Sequence, residues 1–238
     1  MAGLTPADAV GTRDATRISL RAPSKYVTEP SRSSTTGGEP FVPLPPGWLW
    51  GTWSVTHSTL AMWRSAQNVR ITYTPLGEPS AEVGATPVAN DNLVEYEKKK
   101  KGGKAGGVKR VVGVEKPHPT IPSAWVWRGK GLLAIASSHW EVLGWGERPL
   151  PPTGGDNGDE GADGAAVERW AVTWFAPTLF TQEGVDIYSD RREGLSKETV
   201  EDIIAALKEL KDAPKVVQMV EKSLQEVDID LPWAESGK

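Results

Sequence analysis

Beyond residue 50, apolar and polar positions alternate in short runs bounded by turn residues, the mark of half-buried β-strands. Residues 51–60, 68–74, 92–97, 108–114, 123–128, 132–136, 138–144, 168–176 and 184–189 each read as a strand. No helical period runs through these about eight or nine segments. Short connections such as Gly129-Lys130-Gly131 read as hairpins. Successive hairpins make an up-and-down antiparallel meander, and a meander removes its edges by closing into a barrel.

The pattern changes near the C-terminus. Ser196 is an N-cap candidate with an acidic residue following. Val200, Ile203, Ile204, Leu207 and Leu210 follow at helical spacing. Pro214 opens a second short helix with Val216, Val217, Val220 and Leu224 on one stripe. Residues 1–42 are rich in Ser, Thr, Pro, Gly and charge and are expected to be disordered. The expected organisation is therefore a disordered segment at 1–42, a mainly β barrel at 43–191, and C-terminal helices at 192–238 packed on it. Low-complexity stretches at 98–107 and 149–166 are expected to be long loops.

Gly51-Thr52-Trp53 opens the first strand, after Pro43, Pro45 and Pro46. Glycine permits a sharp bend there, and the indole offers a large apolar plug for one end of a barrel. This motif, the meander and the helix after it resemble the lipocalin-like (calycin) superfamily over about Pro46 to Leu210. Residues 53–76 and 137–146 look like fungal lipocalin-like proteins in particular. The resemblance implies a cup holding a hydrophobic or aromatic small molecule, with Trp53 at the closed end. It also implies an arginine from a late strand stacked across that tryptophan, a part open to Arg191 or Arg192.

Composition narrows the choices. Lys and Arg total 27 against 31 Asp and Glu, a net charge of -4, which argues against a nucleic-acid partner. No cysteine is present, so thiolate metal sites and cysteine nucleophiles are excluded. No apolar run approaches the roughly 20 residues of a membrane helix, and no membrane partner is expected. The first 20 residues lack an apolar h-region, so a cytoplasmic location is expected, with the lysine run at 98–101 open to nuclear import. Eleven tryptophans against three phenylalanines suit rigid, polarisable cavity walls.

Strand alternation assigns candidate faces. With Trp53 inward, Val55 and His57 follow it. His57 is either a hydrogen-bonded wall residue or a ligand contact, an acid/base group or an axial haem ligand. Trp125 and Trp127 share one face, as do Trp170 and Trp174, and Tyr73 adds a phenol; all are candidate ligand walls. Arg64, in a turn after the first strand, is either a plain connector or a lid residue facing an acidic ligand. His139 and Glu141 share a face that could pair a general base with its orienter, but Trp140 lies on the opposite face. His139 and Trp140 are thus rivals for the interior, and burial favours Trp140. His118 reads as exposed, and the histidine spacing makes no metal site. No phosphate-binding loop or Gly-x-Ser-x-Gly elbow is present. The expected function is binding of a hydrophobic, aromatic or conjugated small molecule, without a cofactor. The alternative is a cofactor-independent isomerase or cyclase in the same cavity; haem binding and a protein scaffold come after it.

Overall fold

In a computed structural model, residues 18–28, 35–77, 88–99, 107–151, 166–178 and 181–234 are described. Eight antiparallel strands form the barrel: β1 (Gly51–Ser58), β2 (Ala66–Pro75), β3 (Asn90–Lys98), β4 (Val108–Pro117), β5 (Ala124–Gly129), β6 (Ser137–Pro149), β7 (Val167–Phe175) and β8 (Gly184–Ser189). Each pairs with its successor, and β8 pairs with β1, which pairs back with β2. The architecture is the single up-and-down antiparallel barrel expected from the pattern. The segment 132–136 is not a strand. Gly131 takes φ +59°, and a 3-10 turn over Gly131–Leu133 reverses the chain before β6, leaving Ile135 exposed.

The registers fix which face is which. Trp53 lies opposite Ile71, Ile71 opposite Val94, Trp125 opposite Trp140, and Ala171 opposite Tyr188. Those residues, with Val55, Val69, Tyr73 and Val142, form one buried cluster, the barrel interior, with the partly buried Val94 packed against it. Alternate residues of β7 and β8 join a second cluster on the outer wall: Trp170, Val172, Trp174, Val185 and Ile187. Helix α1 (Lys197–Lys208) and helix α2 (Pro214–Ser223) cover that wall with Ile203, Leu207, Val216 and Val220. The Ser196 hydroxyl accepts from the Thr199 amide, capping α1 as expected.

Residues 18–28 and 35–42, expected to be disordered, are instead folded onto the barrel. Leu20 and Arg21 are fully buried, and the Arg21 amide donates to the Leu143 carbonyl at 2.9 Å. The close approach depends on Gly144, where a Cβ would lie 2.3 Å from the Leu20 side chain. Residues 1–17 and 29–34, and most of the loops expected at 98–107 and 149–166, lie outside the described residues.

The barrel seam has an unusual filling. β1 and β2 pair only over Gly51–Ser54, then diverge. A short strand β9 (Gln225–Glu226) pairs with His57 and Ser58. The Val227 amide donates to Thr56, and the Asn68 amide donates to Asp228. Val227 joins the interior cluster. The chain after α2 therefore completes the wall between the first two strands. No helix among the described residues is long and apolar enough to cross a membrane.

Candidate functional site

Local chemistry closes one end of the barrel. Gly51 takes φ +108°, a conformation that favours glycine, and this bend brings residues 43–50 across the end. The buried Trp53 indole donates to the Leu49 carbonyl at 2.7 Å, and Trp48 packs on Trp53 with ring centroids 5.0 Å apart. The arginine across Trp53 is Arg169 of β7, its guanidinium carbon 5.2 Å from the ring centroid. This corrects the expectation of Arg191 or Arg192. Arg191 instead pairs with Glu193 and Glu168, and Arg192 lies over Trp233. β8 ends before either residue can turn inward, whereas Arg169 shares its face with Ala171.

Beside this closure lies a cavity of about 230 Å³, between residues 43–50, Asn90 and the β4–β5 turn. Leu44, Trp48, Leu49, Trp50 and Trp125 make its walls largely apolar, with His118 at the turn. Trp125 stacks on Trp140 at 4.5 Å and 18°, so the cavity wall continues into the interior. Tyr73 follows, 5.9 Å from Trp140. Trp127 packs against the same cluster and donates to Asn92.

The interior is not purely apolar. Glu115 of β4 and Asp186 of β8 are both about 2% exposed. Burial pushes the Glu115 carboxyl well above its ordinary value of 4.5, and the neighbouring Trp140 N–H offsets only part of this. Burial pushes Asp186 up to about 7, against the lowering effects of Ser58, Trp63 and Arg64. Ser58 donates to Asp186 at 2.5 Å. Tyr73 and Tyr188, near neighbours, are held far from ionisation first by burial.

Several expected site residues lie elsewhere. A β-bulge between Val55 and His57 breaks the alternation. His57 consequently pairs with Ile187 of the outer wall and faces Glu226 of β9. It leaves the interior, and with it goes the histidine that haem would need. Trp170 and Trp174 belong to the outer cluster under α1, α2 and the N-terminal segment, not to the ligand wall. Both faces of β7 are buried, so sequence alone could not separate them. Arg64 donates to the carbonyls of Ser58 and Ser223 and ties the turn to α2. Its neighbour Trp63 is the residue that enters the interior.

His139 and Glu141 lie on the outer face, under the N-terminal segment, while Trp140 and Val142 face inward. Glu141 is fully buried. It accepts from His139 at 2.9 Å and from the Ser24 amide at 3.1 Å, takes the Ser24 hydroxyl, and pairs with Arg21 at 3.2 Å. Burial alone would raise this carboxyl, but these partners together hold it below the ordinary value. It is an anchor for the N-terminal segment rather than a base in the cavity. Among the described residues no group of three or more His, Asp or Glu is placed to hold a metal ion. Sequence reasoning missed Glu115, Asp186 and Tyr188. Alternation from Gly113 would have put Glu115 inward, had β4 been extended to Pro117.

No protein-family model matches the chain. A relative, Botcinic acid biosynthesis cluster B protein 12 of Botryotinia fuckeliana, is 26% identical over 131 residues, 55% of this chain. The chain spans about half the length of that relative, 56%. Solved structures similar to it include lobster apocrustacyanin A1, with TM-score 0.41 and 11% identity over 76% of this chain and 78% of that one. The siderocalin Ex-FABP has TM-score 0.41 and 14% identity over 77% of this chain and 95% of that one.

Proposed function

We propose that this chain binds a small, flat, largely apolar molecule in its tryptophan-lined barrel, admitted through the cavity beside residues 43–50. The observation that carries this is the Trp125–Trp140 stack, in which Trp125 lines the cavity and Trp140, behind it, belongs to the buried interior. Indoles so arranged offer a flat conjugated ligand both area and stacking. A cavity of about 230 Å³ lies just below the roughly 300–1,000 Å³ of drug-sized sites, which suits a ligand of one or two fused rings.

The test is native mass spectrometry and an absorbance spectrum of the purified protein, with tryptophan-quenching titrations of flat aromatic and fatty ligands. A ligand of micromolar affinity, weakened in Trp125→Ala, is the expected result. No binding by either ligand class would refute the proposal.

A second function, a cofactor-independent isomerase or cyclase, is favoured by Glu115 and Asp186, two interior carboxyls that burial holds against ionisation. Such acids can donate a proton near neutral pH. The relative's name refers to a biosynthesis cluster, which is consistent with this. Conversion of a bound ligand, followed by chromatography and lost in Glu115→Gln, would favour catalysis over simple binding.

A further inference from the structure

Four interior side chains converge from alternate strands: Tyr73 of β2, Glu115 of β4, Trp140 of β6 and Tyr188 of β8. The Tyr73 and Trp140 rings are 5.9 Å apart. The Trp140 N–H lies against the Glu115 carboxyl, and the Tyr188 hydroxyl lies against those of Tyr73 and Thr173. In this group Trp140 Nε1, Tyr188 Oη and Glu115 Oε2 are shielded from solvent, and these close approaches stop short of bonding geometry, leaving each atom under-satisfied. Each residue is 2% exposed or less. Orphaned buried polar atoms are costly and rare in native proteins. Three in one place, behind the aromatic wall of a cavity, mark a position where a further molecule supplies the partner.

The chemistry of the orphans limits that partner. An indole N–H only donates. A phenol and an un-ionised carboxyl can each donate as well. The shared complement is an acceptor oxygen with two lone pairs, free of formal charge because the site is buried and offers no cation among these residues. We propose that Trp140, Tyr188 and Glu115 form a polar subsite that receives the carbonyl oxygen of a flat, otherwise apolar ligand. This rests on the binding function proposed above and specifies its ligand class.

A matched pair of probes tests it: 2-acetylnaphthalene and 2-ethylnaphthalene, alike in shape and differing in the carbonyl. Their affinities for the full-length protein are measured by calorimetric titration. Tyr188→Phe and Glu115→Leu are each expected to weaken the ketone about five- to tenfold while the hydrocarbon changes by less than about twofold, the size of one lost hydrogen bond. Glu115→Gln, which keeps an N–H donor, is expected to retain ketone affinity. Constant hydrocarbon affinity also reports that each variant keeps its barrel. If ketone and hydrocarbon fall together, or if neither changes, the subsite does not read a carbonyl and the proposal is overturned. The latter is expected if Trp140 and Glu115 simply bond to each other. If neither probe binds the unaltered protein, the binding function fails first and takes this inference with it.

Discussion

The Arg169 guanidinium spans two indoles at the closed end of the barrel, 5.2 Å from the Trp53 centroid and 5.3 Å from that of Trp48. It is held there by Asp190 at 2.9 Å and by the Trp48 carbonyl at 3.3 Å. A partly desolvated cation over tryptophan contributes about 1–2 kcal/mol. Arg169→Ala is expected to lower unfolding stability by about 2 kcal/mol, and Arg169→Lys, which cannot reproduce the planar fork, by about 1 kcal/mol. Urea denaturation monitored by tryptophan fluorescence measures both. Equal stability of Arg169→Ala and the unaltered protein would show that the closed end holds without its cation.

Glu141 couples the N-terminal segment to pH. Its folded value lies below its ordinary 4.5, so its stabilising effect is present above that range and is lost as pH falls through the lower folded value. Hydrogen-exchange protection of the Arg21 and Ser24 amides, taken relative to the intrinsic rate at each pH, should therefore fall on acidification below the ordinary carboxylate range. Glu141→Ala leaves Arg21 buried without its ion partner and is expected to cost about 3–5 kcal/mol. Unchanged protection of both amides in acid would break the link.

Asp186 carries the opposite sign. Its folded value is about 7 against an ordinary 3.8, so the folded state holds a proton that the unfolded chain releases. Stability is full below the ordinary value and declines as pH rises towards 7. Between pH 5 and pH 8 the loss is roughly 3 kcal/mol from this group. Asp186→Asn keeps an oxygen to accept from Ser58 and is expected to flatten that decline. Thermal melts of the two proteins across this range provide the comparison; parallel slopes would contradict it.

Position in the wall predicts which substitutions spare the ligand. His57 sits on the outer side of β1, and Trp174 lies in the outer cluster, donating to Glu183 at 2.8 Å. His57→Ala is expected to leave ligand affinity unchanged. Trp174→Phe should lower stability by roughly 1–3 kcal/mol through lost packing and a lost hydrogen bond, again without changing affinity. Trp125→Ala should reduce affinity and quenching, and its loss from the buried stack should also cost about 3–5 kcal/mol of stability. A His57→Ala protein with weakened binding would place the ligand on the wrong side of β1.

The barrel was legible because two-residue alternation and Gly51-Thr52-Trp53 are local signals. Helix α1 was legible from the Ser196 cap and the spacing of Val200, Ile203 and Leu207. The opposition of His139 and Trp140 also followed from alternation. What defeated the reading of the site was non-local or subtle. One extra residue at Thr56 turned His57 outward, and no sequence signal announces a bulge. In β4, Val112 and Val114 look like a core pair, yet Val112 is exposed while Gly113 and Glu115 are buried. Hydrophobicity picks the wrong face where a barrel keeps polar groups inside. β7 has apolar residues on both faces because α1 and α2 cover its outer side, a fact set far along the chain. The N-terminal segment reads as disordered because its anchors, Leu20 and Arg21, are isolated in a polar stretch. Their partners, Gly144 and Glu141, are more than a hundred residues away.

The filled seam between β1 and β2 has a consequence for the order in which the molecule can be completed. A chain emerging from the ribosome presents β1 and β2 early, but beyond Ser54 those strands do not pair with each other. The missing wall is made by residues 225–230, which emerge after both helices. Until then the first strand has one ragged edge, and Val227 is absent from the interior. Sealing of the barrel thus waits on a segment that follows both helices in the chain.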